Sequence, residues 1–240
     1  MEKEKIVSGL ATVWAAKNLV LYEETASTNL DAKKLAAQGA EHGTLVVANM
    51  QTSGRGRRGR TWLSPAGESV YMSLLLRPLC EPNQASALTL VMALAVLEAV
   101  KELKPQNCGI KWPNDIVMNG KKICGILTEM CMKKTDIDYV VIGVGVNANQ
   151  SSFAEEIADT ATSIFEQSGE RVDRAWLICR VMHYFEQAYA EFEKTWDLTG
   201  LIELYNRYLL NKDRQVRVLD PKGEYEGVAL GINEQGELLV

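Results

Sequence analysis

Residues 138–147, Asp-Tyr-Val-Val-Ile-Gly-Val-Gly-Val-Asn, dictate more about this chain than any other stretch. The apolar run has no polar alternation, which marks a central strand inside a covered sheet. Gly143 and Gly145 lie two residues apart and so share one face. Small residues there leave room for something flat above the sheet, and Asn147 closes the strand. Further strands read at Val20–Tyr22, Thr44–Ala48 and Ser69–Leu76. Helical periodicity appears over Leu30–Ala37, ended by Gly39, and over 84–104, 160–166, 173–195 and 200–210. The 84–104 segment is apolar all round before Glu98, as burial against a sheet requires. Residues 1–20 give only one short mixed segment. Thr28-Asn-Leu-Asp31 fits a capping box in which the Thr28 hydroxyl accepts from the first turn. Strands and helices together predict an α+β fold.

Composition narrows this further. A chain of 240 residues, 47% hydrophobic and 24% charged, can bury one large core and carry a small appendage. From Asn211 the character changes to three short strands, 215–219, 224–231 and 237–240, joined by turns at 220–223 and 233–236. The predicted division is therefore 1–210 and 211–240. Three strands are marginal alone, and the last has no pairing strand after it. This piece must dock on the main domain or belong to a longer chain. No stretch has the length of a membrane span. Met-Glu-Lys-Glu-Lys lacks the apolar core of a signal peptide. The five cysteines are odd in number, scattered and without CxxC, so a reducing cytoplasmic location is expected. With only His42 and His183 available, neither a zinc site nor a Ser-His-Asp triad is expected.

The chemistry concentrates in Gly54-Arg-Gly-Arg-Arg-Gly-Arg60, followed by Thr61, Trp62, Leu63, Ser64 and Pro65. Glycine allows close approach of the backbone, and arginine presents a planar cationic fork that matches phosphate and carboxylate. The loop spans roughly 51–67 between two strands, a length that suggests a mobile cover rather than a hairpin turn. Gly54, Gly56 and Gly59 formally match GxGxxG, and residues 143–148 match GxGxxA. A dinucleotide fingerprint must open a helix, whereas Pro65 disfavours one after the first match and residues 149–152 form a loop after the second. An extended nucleic-acid face is excluded by four arginines without interleaved aromatics in a chain of net charge −5.

A second cluster lies between Gly109 and Glu129. Pro-Asn-Asp turns between two short strands, and Asn119-Gly120 is a type I′ hairpin signal. Lys111 then sits at one strand end, Lys122 just inside the partner, and Asp115 near both. A carboxylate between two ammonium groups suits Mg²⁺-nucleotide chemistry; an ordinary charged surface hairpin is the competing reading. Gly125 within a strand permits close approach of a ligand. Ser27, Thr28 and Asn29 either start a helix or receive a polar ligand group at its N-terminus.

Taken together, Ser27-Thr28-Asn29, Gln51, GRGRRGR-x-W with Ser64-Pro65, KWPND at 111–115, Lys122 with Gly125, and GVGVN at 143–147 resemble the biotin–protein ligase family over residues 20–240. The resemblance implies a largely antiparallel mixed sheet packed with helices, of the class II synthetase-like kind, followed by a small SH3-like β-domain. Family members usually continue through two more strands, so the SH3-like piece is expected to be incomplete. The implied reaction joins biotin to ATP as biotinyl-5′-AMP and then transfers biotin to a lysine of a biotin carboxyl carrier protein. Ser27, Thr28, Asn29 and Gln51 would hold the biotin head, with Gly54, Gly125 and Gly143 beside it. Arg55, Gly56 and Arg57 would close over the carboxylate and phosphates. Lys122 and Lys111 would bind the carboxylate and α-phosphate. Arg60, Trp62, Asn114 and Asn147 would face the nucleotide, and Asp115 would serve Mg²⁺. Many bacterial members carry an N-terminal winged helix-turn-helix; about 20 residues precede the first strand here, so no sequence-specific DNA binding is expected. No membrane partner is expected, and a homodimer through a sheet edge is possible within the family. The rival readings are a lipoate–protein ligase and a biotin-binding regulator without turnover.

Overall fold

The computed structural model describes residues 1–219 and 223–240, so most of the predicted 220–223 turn lies outside the described residues. Seven strands form one sheet: β1 (Leu19–Thr25), β2 (Leu45–Gln51), β3 (Val70–Leu76), β4 (Cys108–Lys111), β5 (Asp115–Met118), β6 (Lys121–Lys133) and β7 (Asp136–Val146). Their order is β1-β2-β3-β7-β6-β5-β4, which puts β7 in the middle. Only the β1–β2 pair is parallel; the others are antiparallel. The sheet is mixed and mostly antiparallel, as predicted.

Helices α1 (Lys3–Gly9), α2 (Thr28–Ala37), α3 (Leu88–Lys101), α4 (Ile164–Ser168), α5 (Arg174–Phe192) and α6 (Ile202–Tyr208) flank it. The pleat sorts the core into two layers. Leu45, Val47, Leu74, Leu76, Val140 and Ile142 face the large layer, which includes the apolar residues of α3 and α5. Val46, Leu75 and Val141 face the opposite side, where Ala32 and Ala36 of α2 cover them. Helix α2 covers only part of that side. Residues 71, 73 and 75 of β3, 125, 127 and 129 of β6, and 143 and 145 of β7 share its face by register and alternation.

Some local expectations change. Lys3–Gly9 is helical, buries Ile6, and packs on α5. The 84–104 segment begins with a 3-10 turn at Ala85–Ala87 before α3. Ser163 caps α4 through the Glu166 N–H and Asp173 caps α5, so both helices start later than the periodicity suggested. The Thr28–Asp31 capping box does not form. Ser27 is the N-cap residue and makes no side-chain cap bond, while Thr28 and Asp31 turn to tertiary partners.

Beyond residue 210 lie two hairpins rather than three strands: β8 (Gln215–Val218) with β9 (Tyr225–Val228), and β10 (Gly231–Ile232) with β11 (Leu238–Leu239). The predicted 224–231 strand breaks before Gly231, whose φ of +140° suits glycine. The final strand pairs back onto β10. This piece docks on the main body: Asn206 Oδ1 accepts from Ile232 N–H at 2.9 Å, and Trp112 Nε1 donates to the Gly236 carbonyl at 2.9 Å.

Candidate active site

The face that α2 leaves open is floored by glycine. A methyl on Gly145 would lie 2.5 Å from the Trp62 indole, and one on Gly125 would lie 2.8 Å from it. The flat object over these glycines is therefore the indole. Over Gly143 it is the Asn29 amide, whose Oδ1 would be 2.1 Å from an added methyl. The absent side chains are what let these groups lie against the strand.

The arginine-glycine loop carries Trp62 into place. Its two limbs are laced into a hairpin-like arch. Gln51 pairs with Ser64 and Arg55 with Thr61; Trp62 N–H donates to the Gly54 carbonyl at 2.9 Å, and Gly56 N–H to the Arg60 carbonyl at 2.7 Å. A 3-10 turn at Arg57–Gly59 forms the tip. Gly54 allows the two limbs to meet, since a methyl there would be 2.3 Å from the Trp62 carbonyl. Arg58 at φ +56° and Gly59 at φ +74° are the left-handed residues of the tip. These cross-bonds, invisible in loop length alone, give the expected cover the shape of an arch.

Beneath the arch, Ser27, Thr28, Asn29, Gln51, Gly125 and Gly143 line a cleft with Arg55, Gly56, Arg57, Trp62, Asn114 and Lys122 across it. Gln51 is fixed at both ends: Oε1 accepts from Thr28 N–H at 2.9 Å, and Nε2 donates to Ser64 Oγ at 2.9 Å. Ser73 Oγ lies 2.7 Å from Thr28 Oγ1 and 2.6 Å from Asn29 Oδ1. Asn29 Nδ2 donates to Glu129 at 2.8 Å, and Lys33 pairs with the same carboxylate at 2.5 Å. Burial pushes the Glu129 carboxyl up, but the Lys33 and Asn29 hydrogen bonds outweigh it and hold the group below its ordinary value.

At the other end Lys122 and Asp115 form an ion pair at 2.6 Å, with the Lys122 ammonium 5.3 Å from the centre of the Trp62 ring. Arg57 donates to Asn114 Oδ1 at 2.8 Å, while Asn114 Nδ2 donates to the Ile126 carbonyl at 3.2 Å. That acceptor fixes the amide so that Oδ1 faces Arg57. The arginine loop and the KWPND turn, more than 50 residues apart in sequence, thus touch directly.

Other predicted residues stand outside this cleft. Lys111 opposes Asp115 in the β4–β5 ladder, but its side chain is exposed, and Asp115 pairs with Lys122 instead. Arg60 is exposed beside the tip of the arch. Asn147 is buried, and its amide donates to the Thr162 carbonyl at 3.0 Å, fastening the 160–164 segment rather than lining the cleft. Gly54 acts within the arch. Among the described residues no group of three or more His, Cys, Asp or Glu could hold a metal. His42 is structural: its Nδ1 accepts Arg77 N–H at 3.0 Å, and its ring lies 4.4 Å from that of Trp14.

Three polar residues behind the cleft were not read as site residues from sequence: Ser73, Glu129 and Lys33. The signal for two of them was present. Ser73 is a polar residue on a buried face of an apolar strand, and Glu129 is a charge in phase with Gly125 along β6.

Comparison with known proteins gives the family of the chain. Residues 21–147 match the biotin/lipoate A/B protein ligase family. The bifunctional ligase/repressor BirA of Bacillus subtilis is 39% identical over 242 residues, covering 100% of this chain and 74% of that protein. The biotin–[acetyl-CoA-carboxylase] ligase of Mycobacterium tuberculosis is 34% identical, covering 96% of this chain and 85% of that protein. A biotin protein ligase from Aquifex aeolicus, solved with biotin and ATP, superposes with a TM-score of 0.81 at 32% identity, covering 93% of this chain and 91% of that one.

Proposed function

The chain belongs to the biotin/lipoate A/B protein ligase family, and we propose that its cleft performs the biotin branch of that chemistry. The protein activates biotin with ATP as biotinyl-5′-AMP and transfers the biotin to a lysine of a carrier protein; a relative named a biotin–[acetyl-CoA-carboxylase] ligase and a solved biotin protein ligase holding biotin and ATP support this reading. The observation that carries the assignment of roles is the polarity of the cleft. Its lining joins neutral hydrogen-bonding side chains, Ser27, Thr28, Asn29 and Gln51, to the cations Arg55, Arg57 and Lys122, of which Arg57 and Lys122 meet the KWPND turn. Biotin has the same asymmetry, a neutral urea at one end and a carboxylate at the other.

In this reading Ser27, Thr28, Asn29 and Gln51 receive the biotin head. Arg55, Arg57 and Lys122 gather the carboxylate and the α-phosphate, two anions that would otherwise repel. A carboxylate oxygen attacks the α-phosphorus and pyrophosphate leaves. The carboxylate is already a nucleophile, so this step needs no general base. In the second step the neutral ε-amine of the acceptor lysine attacks the acyl carbon and AMP leaves. Trp62, lying on the glycine floor, closes the site against water. Asn114 holds Arg57 over the cleft, and Lys111 and Arg60, exposed at its rim, are assigned to the outer phosphates. Asn147 supports the floor from behind. The acceptor is a biotin carboxyl carrier domain, and residues 211–240 form a small SH3-like unit beside a catalytic unit of residues 1–210.

Magnesium fits as a passenger of ATP rather than a resident ion. Mg²⁺ commonly uses one or two carboxylates plus substrate phosphates, and Asp115 is the carboxylate placed beside Lys122. When bound there it would screen charge on the triphosphate.

The test is mass spectrometry of the protein after incubation with Mg-ATP and either biotin or lipoate. Biotinyl-AMP is expected, with pyrophosphate released and no adenylate from Lys122→Ala. Lipoyl-AMP alone, or no adenylate with either acid, overturns the reading.

A further inference from the structure

Resting on the reading of the cleft as a biotin-head site, we propose that Glu129, clamped by Lys33, is a positioning residue that sets which atoms of the pocket accept hydrogen bonds and which donate them.

A carboxylate can only accept. The Asn29 amide therefore turns its Nδ2 toward Glu129, at 2.8 Å, with the Leu127 carbonyl 3.4 Å away. Its Oδ1 must then face Ser73, 2.6 Å distant. Ser73 is completely buried and has a single hydroxyl proton, which goes to Oδ1 because an amide oxygen cannot donate. Ser73 Oγ is left as the acceptor in its 2.7 Å contact with Thr28. The Thr28 hydroxyl proton therefore goes to Ser73, and the Thr28 lone pairs remain open. Thr28 and Asn29 both line the cleft, and in this network Asn29 Oδ1 and Thr28 Oγ1 are both acceptors. The edge of a cyclic urea offers N–H donors, so the match is complementary.

Reversing the Asn29 amide would place N–H groups against N–H groups. The carboxylate at 129 forbids that reversal, because Oδ1 would then face its oxygens. A neutral amide at 129 would permit both orientations. Lys33 holds the carboxylate in place through the ion pair at 2.5 Å, with both side chains partly shielded from water. The tight seat of Asn29 over Gly143 leaves the amide nowhere else to go.

The experiment compares the parent with Glu129→Gln and Lys33→Met, following pyrophosphate release with biotin and ATP varied separately. Glu129→Gln is expected to raise KM for biotin by about tenfold or more, with KM for ATP and melting temperature unchanged. Lys33→Met should move KM for biotin in the same direction by a smaller factor. A biotin analogue with a cyclic carbonate in place of the urea presents acceptors where biotin presents donors. The parent should discriminate against it strongly, and Glu129→Gln should narrow that ratio, which a general loss of packing would not do. The proposal is overturned if KM for biotin and the discrimination ratio stay at parental values in Glu129→Gln. It is equally overturned if both KM values rise together with a loss of thermal stability. Should Glu129→Gln fail to fold, Lys33→Met decides, and parental values there refute the idea. A parent that releases no pyrophosphate with biotin defeats the underlying ligase reading; an active parent with parent-like variants defeats this proposal alone.

Discussion

At the scale of single residues, the contact between Trp62 and the glycines beneath it is the most exposed to test. The indole lies where Gly145 and Gly125 have no side chains, and its Nε1 is buried without a partner. Gly145→Ala would put a methyl 2.5 Å from the ring, closer than carbon atoms tolerate, so the indole must move. Neither neighbour of Gly145 in the register, Tyr71 or Gly125, needs to shift for the strand itself to accept alanine. The expected result is a fall in biotin adenylation of about tenfold or more with little change in unfolding midpoint. The discriminating measurement is a double-mutant cycle with Trp62→Ala. If Gly145→Ala acts by displacing the indole, it should cost little once the indole is gone, giving a coupling on the order of 1–3 kcal/mol. Additive effects would mean that the glycine matters for some other reason.

At the scale of elements, the N-terminal segment shows what the sequence left out of sight. Helix α1 buries only Ile6, too little for a periodic signal, and its position is set by α5, more than 160 residues later. Just after α1, Glu186 of α5 accepts the N–H groups of Val13, Trp14 and Ala15 at 2.8, 2.7 and 3.0 Å. Burial pushes this carboxyl up, but the three backbone donors outweigh it and hold it below its ordinary value. A carboxyl lowered in the folded state contributes stability in full above its unfolded value, near 4.3, and loses it as pH falls through the folded one. Glu186→Gln should therefore cost about 2 kcal/mol at neutral pH. The gap to the parent should shrink as unfolding is measured from pH 7 down to about 3; a gap independent of pH would contradict this account. The same contrast explains which elements were legible. Strands such as β3 and β7 carry their assignment in their own apolar runs. The turn of Thr28 does not: its capping signature is local, and three partners from other elements, Gln51, Ser73 and Thr25, claim the Thr28 and Asp31 side chains that would have satisfied it. The cleft was largely legible because glycines and arginines announce close approach and anion binding by type. Ser73 and Glu129 were missed because their meaning depends on the register of strands that only the folded sheet fixes.

For the whole molecule, the question is what joins the cleft to the C-terminal hairpins, and Trp112 answers it. The KWPND run reads as a site motif, yet its tryptophan points the other way. Trp112 N–H donates to Asn211 Oδ1 at 2.8 Å, and its indole Nε1 donates to the buried carbonyl of Gly236 at 2.9 Å. Two residues on, Asn114 holds Arg57 over the cleft at 2.8 Å. One turn therefore faces the active site with its amide and the docked hairpin with its indole. Gly236 has no room to settle elsewhere, since a methyl on it would be 2.9 Å from Leu90 and 3.1 Å from Leu198. Trp112→Phe keeps the aromatic bulk and removes only the donor, leaving a buried carbonyl unpaired at a cost of about 1–3 kcal/mol. If that bond fastens the hairpin, hydrogen exchange should accelerate at the cross-strand amides of residues 230–233 while β3 and β7 remain protected. Because the KWPND turn is shared, adenylation should slow as well, through looser Arg57 rather than through any lost contact with substrate. Unchanged exchange at 230–233 would show that the Leu198–Glu234 and Asn206–Ile232 bonds hold the hairpin unaided. Faster exchange there with parental adenylation would show that the two faces of the turn work independently.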